Sequence, residues 1–142
     1  MKRFVFRAFL LVVVMQASCR ERKVHQPVFP VHGAVSYQGR PAEGARVSFV
    51  PMGAVGSLRP QATVGADGTF QLSTYELNDG APSGRYAVAI VWPGPNPRSN
   101  GQGDDELPGP DRLNGRFSDP NHSPWQVEVG TAPLELAPFQ LE

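Results

Sequence analysis

Large apolar residues alternate with small or polar ones in three separate runs between positions 45 and 91. A period of two is typical of β-strands that bury one face against a core. The alternation therefore predicts three strands and assigns seven side chains to the core. These side chains are Val47, Phe49, Phe70, Leu72, Tyr86, Val88 and Ile90.

A short turn sequence lies just before Phe70. Asp67 tolerates turn geometry, and Gly68 can adopt the positive φ that a tight hairpin requires. Residues 31–37 show a similar alternation and end at a turn that contains Gly39. The central part of the chain is therefore predicted to be a small antiparallel β domain.

The C-terminal residues alternate again. Residues 125–129 are predicted to form a strand, and residues 130–133 a turn. Residues 134–136 then lead through Pro138 to residues 139–141. Because proline is tolerated at sheet edges, these segments predict a final hairpin whose last strand is an edge strand.

Residues 93–110 interrupt the pattern, since Leu107 is their only large apolar residue. This composition predicts a long loop, and such loops tend to be either functional or disordered. Asp104, Asp105 and Glu106, with Asp111 nearby, are candidate Ca²⁺ ligands because they supply carboxylate oxygens. They lack the Asp-x-Asp-x-Asp-Gly spacing of a calcium loop, so a solvated acidic turn is the preferred interpretation.

Length and composition fit one small domain. The chain has 142 residues, and its 15 glycines and 15 prolines are scattered as turn residues, which excludes long helices. The formal net charge is zero, and no Lys/Arg cluster occurs beyond the first 25 residues. This distribution argues against nucleic acid as a partner.

Residues 1–18 have the pattern of an export signal. Three basic residues precede an uninterrupted apolar run at 8–15, and a short exit follows at 16–18. The run is much shorter than the ~20 residues of a membrane-spanning helix. The alternative is a buried N-terminal helix or strand, which the flanking charges disfavour.

Cys19 is the only cysteine. Ala17-Ser18-Cys19 resembles a lipobox, in which a small residue precedes a cysteine that is lipidated and becomes the new N-terminus, although Gln16 departs from the usual aliphatic residue. The alternative is ordinary secretion, with Cys19 left unpaired or removed with the signal. A lone cysteine forms no internal disulfide, and an exposed thiol is a liability in an oxidising compartment, so lipidation is preferred. Cleavage before Cys19 removes three of the 13 basic residues and none of the 13 acidic ones, so the exported part has a net charge of −3.

Residues 19–30 read as a tether between this anchor and the folded domain. They are basic at the start, contain Pro27 and Pro30, and show little periodicity. The basic residues could contact anionic lipid headgroups, but a solvated linker is the preferred interpretation.

Several motifs, taken in order, resemble those of one family. They are Gly33-x-Val35, Gly39-x-Pro41-x-x-Gly44-Ala45-x-Val47-x-Phe49, Asp67-Gly68-Thr69-Phe70-x-Leu72 and Gly84-x-Tyr86-x-Val88-x-Ile90. Together they resemble the carboxypeptidase regulatory-like, or transthyretin-like, β-sandwich domains. Ser73-Thr74-Tyr75 followed by Asp79-Gly80-Ala81-Pro82 resembles, more narrowly, the small exported lipoproteins of planctomycete bacteria. The resemblance covers residues 31–141 and implies an all-β fold, a single antiparallel β-sandwich of about seven strands in residues 31–142.

Residues with catalytic or metal-binding chemistry are sparse. His25, His32 and His122 lack the spacing of a zinc site, and no Gly-x-Ser-x-Gly motif is present. Transthyretin-like hydroxyisourate hydrolases end in Tyr-Arg-Gly-Ser, whereas this chain ends in Phe-Gln-Leu-Glu. We therefore expect no enzymatic activity, no cofactor and no metal.

Trp92 and Trp125 are the candidate ligand-binding residues, because indole rings stack on sugars. The alternative, which we prefer, is that each packs at a strand end with its N–H turned to solvent. The leading hypothesis is a non-catalytic exported lipoprotein, anchored to a membrane through Cys19, that serves as an interaction or structural module of the cell envelope. Its partner would be an envelope protein or glycan. A carbohydrate-binding module is the alternative, and a hydrolase comes third.

Overall fold

A computed structural model describes residues 25–53, 58–97 and 107–142. The predicted signal, Cys19 and the first half of the predicted tether lie outside the described residues. The described chain is all-β, with one 3-10 helix, Pro120–His122, and no helix long and apolar enough to cross a membrane. Its strands are β1 Val28–Phe29, β2 Val31–Tyr37, β3 Arg40–Pro41, β4 Arg46–Pro51, β5 Gln61–Thr63, β6 Thr69–Gln71, β7 Ala81–Pro82, β8 Gly84–Val91, β9 Gln126–Val129, β10 Leu134–Glu135 and β11 Phe139–Leu141.

One open sheet has the order β5-β4-β8-β9 and is antiparallel throughout. Its central pair places Val47 opposite Ile90 and Phe49 opposite Val88, so that four predicted core residues line one face. The predicted alternation, with these four side chains on the core face, is thereby confirmed.

A second sheet is built around β2. Strands β3 and β6 pair with β2 in antiparallel fashion, whereas β10 and β11 pair with it in parallel. A separate two-stranded ladder joins β1 to β7.

The predicted C-terminal hairpin is wrong. The predicted turn at 130–133 does not lead the chain back along β9, because β9 pairs with β8 in the first sheet. Strands β10 and β11 instead follow one another along the same side of β2, with a register shift of one residue between them. Pro138 lies between the two strands, and its missing N–H cannot donate to β2, which explains the interruption. Because this segment is parallel to β2, the prediction of an entirely antiparallel domain is also wrong.

The structure also has eleven strands in its described part, where the resemblance implied about seven. Four of these strands have only two residues. Prolines lie in or beside these short strands and limit the length over which a ladder can continue.

Side chains of both sheets contribute to one hydrophobic core. All seven predicted core residues are buried, and no polar or charged residue is fully buried in the described chain. Strand β8 departs from a half-buried pattern, since Ala87 and Ala89 are also buried. The segment that contains the 3-10 helix covers this face, and Ser123 Oγ donates a hydrogen bond of 2.5 Å to the carbonyl of Val88. The small alanine side chains permit this close approach.

The predicted turn at Asp67-Gly68 is confirmed. Gly68 has a φ of +84° and donates its N–H to the carbonyl of Gly65, while Gly65 donates to the carbonyl of Thr69. The two arms then join different sheets, because β5 pairs with β4 and β6 pairs with β2. The turn therefore connects the two sheets.

The two described ends of the 93–110 segment run alongside each other. Gly94 N–H donates to the carbonyl of Pro110 and Arg112 N–H to the carbonyl of Trp92, both over 2.8 Å. These bonds extend the β8 arm beyond the sheet. Residues 98–106, which include Asp104, Asp105 and Glu106, lie outside the described residues.

Candidate functional site

Trp92 lies just beyond the end of β8 and is half-buried. Its indole N–H donates a 2.8 Å hydrogen bond to the carbonyl of Glu43, which corrects the predicted solvent-facing N–H. The Arg112 guanidinium lies 4.9 Å from the ring centroid, and the Tyr37 ring approaches edge-on at 5.6 Å. The Trp92 ring therefore already has a cationic and an aromatic partner within the chain.

Trp125 is also half-buried, with the Phe117 ring centroid at 5.1 Å and the Phe139 ring centroid at 5.2 Å. Its carbonyl accepts a hydrogen bond from Val88 N–H, four positions before Trp92 along the β8 arm. Four residues of strand correspond to about 13 Å. The two tryptophans thus belong to separate aromatic clusters and do not form one continuous platform.

Asp111 does not act as a free acidic side chain. Its carboxylate accepts hydrogen bonds from the backbone N–H groups of Trp92, Leu113 and Gly115, at 2.8, 3.1 and 2.9 Å. These bonds connect the end of β8 to the turn that follows the 93–110 segment. Asp111, which was a candidate calcium ligand, therefore serves as a backbone clamp.

Asp79 has a similar role, which was not among the predictions. Its two oxygens accept hydrogen bonds from the N–H groups of Thr74, Tyr75 and Glu76 at 2.6, 2.9 and 2.9 Å. Burial raises the pKa of this carboxyl, but the three amides outweigh burial and hold the pKa below its ordinary value. The motif Ser73-Thr74-Tyr75 with Asp79-Gly80 is thus a structural loop, and its short spacing is the signal that could have indicated this.

Asp79→Asn is expected to lower the free energy of unfolding by about 1–3 kcal/mol at neutral pH, because an amide nitrogen would face backbone donors. The carboxylate's contribution is present above its unfolded pKa and is lost as pH falls through the lowered folded pKa. The deficit of the variant should therefore shrink in acid. Urea unfolding at pH 7 and in acid checks this. Glu76→Gln, which removes the same charge from an exposed neighbour, should have little effect.

The three histidines lie in different places. His25 stacks on Tyr75 with ring centroids 4.1 Å apart. His32 Nδ1 lies 3.6 Å from a carboxylate oxygen of Glu135, and His122 Nδ1 lies 2.7 Å from one of Asp119. Among the described residues, no three His, Cys, Asp or Glu side chains come together in a group that could hold a metal ion.

An open groove of about 640 Å³ lies between β5 and β6. The two strands share a bridge at Gln61 and Ser73, and the turn-closing bond between Gly65 and Thr69 lies at the other end. Between these points the strands separate, which opens the groove. Its lining residues are Arg46, Gln61, Ala62, Thr63, Gly65, Thr69, Phe70, Gln71, Ser73, Leu77 and Asn78. Sequence reasoning missed this groove.

A scan against protein-family models and a search of curated proteins both found no match. Among solved structures, the chain is similar to a DUF3823 family protein from Parabacteroides merdae ATCC 43184, with 18% sequence identity and a TM-score of 0.41. The match covers 80% of this chain and 45% of that chain, so the chain spans less than half of that protein's length. A likeness at this level transfers no function.

Proposed function

We propose that the protein is an exported lipoprotein whose folded part is a non-catalytic β-sandwich of the transthyretin-like kind. Lipidated Cys19 would anchor it to a membrane, and the domain would serve as an interaction or structural module of the envelope. The anchor is supported by the short apolar run and by Ala17 and Ser18 directly before the only cysteine.

The observation that carries the non-catalytic role is that three aspartate side chains bind backbone N–H groups. Asp79 and Asp111 each hold three backbone N–H groups, and Asp119 accepts the N–H of Asn121 at the start of the 3-10 helix. A carboxylate whose oxygens accept backbone N–H groups is already engaged in the fold and is not positioned to exchange a proton with a substrate. These groups therefore stabilise turns instead of performing chemistry.

The sandwich architecture is supported by the shared core. Val47, Phe49 and Ile90 come from the sheet around β4 and β8, whereas Val35 and Phe70 come from the sheet around β2. Two open sheets that bury their inner faces in one core have the layer arrangement of a β-sandwich.

The chain would hold this domain close to the bilayer. His25 lies only six positions after Cys19, a span of at most about 20 Å. His25 stacks on Tyr75, and Gln26 N–H donates to the Tyr75 hydroxyl at 3.1 Å, so the chain is attached to the domain at that point. Such a short tether suits a module whose partner lies at the membrane surface.

Cys19→Ser tests the anchor. We expect the wild-type protein to partition into detergent with the membrane fraction and the variant to lose its lipid, because the serine hydroxyl cannot replace the thiol that is acylated. Gln16→Leu is the matched control and should process at least as efficiently as the wild type, since it supplies the aliphatic residue of the usual pattern. Recovery of wild-type protein in the soluble exported fraction would contradict the proposal.

The carbohydrate-binding alternative is not favoured at Trp92 and Trp125. Their rings already contact Arg112, Tyr37 and other side chains of the same molecule, and both are half-buried, which makes them less suited to stacking on a sugar than exposed rings would be. A sugar site elsewhere on the domain is a separate possibility, for which the groove between β5 and β6 has suitable chemistry.

A further inference from the structure

Arg46 stands at the meeting point of three neighbouring grooves. It lines the groove between β5 and β6, a second of about 610 Å³ beside Pro93 and Leu107, and a third of about 360 Å³ beside Ser48 and Pro120. The side chain is exposed and makes no hydrogen bond or ion pair with any described residue. With no acidic partner among the described residues, this guanidinium is a ready binding group for a carboxylate, which it can hold with two parallel hydrogen bonds.

The walls of the groove between β5 and β6 are polar but uncharged. Apart from Arg46, its polar side chains are hydroxyls and amides, and no carboxylate of the described residues lines it. These side chains are Gln61, Thr63, Thr69, Gln71, Ser73 and Asn78. Thr69 already donates its hydroxyl proton to Asp67 and Ser73 Oγ already accepts the N–H of Asn78, but hydroxyls and amides together offer both donors and acceptors, which matches a ligand rich in hydroxyl groups.

The backbone adds further hydrogen-bonding groups at the centre of the groove. Backbone hydrogen bonds join Gln61 to Ser73 at one end of the groove and Gly65 to Thr69 at the other. In a continuous antiparallel ladder, the bonded pair between them would be Thr63 and Gln71. No β-bridge joins these two described residues, because β5 pairs with β4 and β6 pairs with β2. Both residues line the groove, where their backbone groups could bind a ligand hydroxyl.

An apolar side chain lies at the margin of the same groove. Leu77 is 86% exposed on the loop that Asp79 holds in place, and it lines the groove together with Asn78. The C–H face of a sugar ring is apolar and can pack against such a side chain. Protein partners usually need several buried aromatic or aliphatic anchors, whereas Leu77 is the one exposed large apolar residue among the described residues that line this groove.

We propose that the groove between β5 and β6 binds an acidic glycan, with a sugar carboxylate on Arg46 and sugar hydroxyls on the amide and hydroxyl side chains. This names a ligand class for the interaction module and rests on that proposed function. Binding to the groove requires no lipid anchor, so the two can be tested separately.

The test is calorimetric titration of the exported protein, purified in detergent, with tetragalacturonic acid. We expect Arg46→Gln to weaken binding about tenfold or more, as for loss of a charged hydrogen bond. Arg85→Gln is the matched control, because Arg85 is an exposed strand arginine of the same sheet that lies outside all three grooves. It should bind within about twofold of the wild type.

A second comparison requires no variant. The methyl ester of the same tetrasaccharide keeps the sugar ring but lacks the charge, so the wild-type protein should bind it as weakly as Arg46→Gln binds the acid. Equal binding of acid and ester, equal loss in the two arginine variants, or no binding of the acid would overturn the proposal. Hexaglutamate that binds as tightly as the sugar would also overturn it, in favour of an acidic peptide. Acylation of Cys19 is measured independently, so failure of glycan binding leaves the anchor untouched.

Discussion

Gly80→Ala is expected to destabilise the domain by about 3–5 kcal/mol, from a strained φ and an overpacked contact together. Gly80 has a φ of +102°, which side-chain-bearing residues rarely adopt. A Cβ at this position would lie 1.9 Å from the carbonyl oxygen of Phe29 and 2.8 Å from the backbone nitrogen of Pro30. Backbone atoms cannot rotate away, so β1 would have to separate from β7.

Gly44→Ala is the matched control for this prediction. Gly44 also has a positive φ, of +81°, but no atom of the described residues lies within 4 Å of the position that an alanine Cβ would occupy there. It should cost only the conformational strain of about 1–2 kcal/mol. Urea unfolding of both variants makes the comparison, and equal shifts of the midpoint would mean that the contact between Gly80 and Phe29 is not as described.

Ile90→Ala is expected to cost about 2–5 kcal/mol, because it leaves a cavity at the centre of the core. Ile90 is completely buried and lies opposite Val47 in the β4–β8 ladder. Its N–H donates to the carbonyl of Phe117 at 2.8 Å, so the strand is also fixed on its other edge. Movement of the strand to close the cavity would break these backbone bonds.

Arg85→Ala provides the comparison on the same strand. Arg85 is exposed, and substitutions at such positions usually change stability by less than about 0.5 kcal/mol. Urea unfolding should therefore separate the two variants by most of the Ile90 effect. Coincident midpoints would show that the alternation along β8 had been assigned to the wrong face.

The core could be predicted from the sequence because its signal is local. Strand residues alternate between faces, so the positions of Val47, Phe49, Val88 and Ile90 predicted their burial without knowledge of the partner strands. The turn at Gly68 was also predictable, since a tight reversal demands a positive φ at that position.

The pairing of the last strands could not be predicted in the same way. Alternation shows that residues 139–141 form a strand but does not specify its neighbour. Phe139 pairs with Val35 and Leu141 with Tyr37, more than 100 residues away, in a parallel arrangement that no local turn determines. The closeness of the last segments along the chain favoured a hairpin, but in the structure they pair with the distant strand β2 instead.

The same distinction holds for the candidate sites. Asp79 acts on residues three to five positions away, so its motif contained the information. The bond from Trp92 to Glu43 joins residues 49 positions apart and is visible only in the fold. The grooves around Arg46 likewise combine separate segments, which explains why this arginine had no sequence signature.

Mass spectrometry of the mature wild-type protein tests the proposed anchor most directly. Each buried CH₂ of an acyl chain contributes about 0.8 kcal/mol to membrane binding, so several chains hold a protein firmly where one holds it marginally. The proposal predicts an N-terminal Cys19 that carries acyl chains. An unmodified protein whose N-terminus lies at any residue other than Cys19 would contradict it.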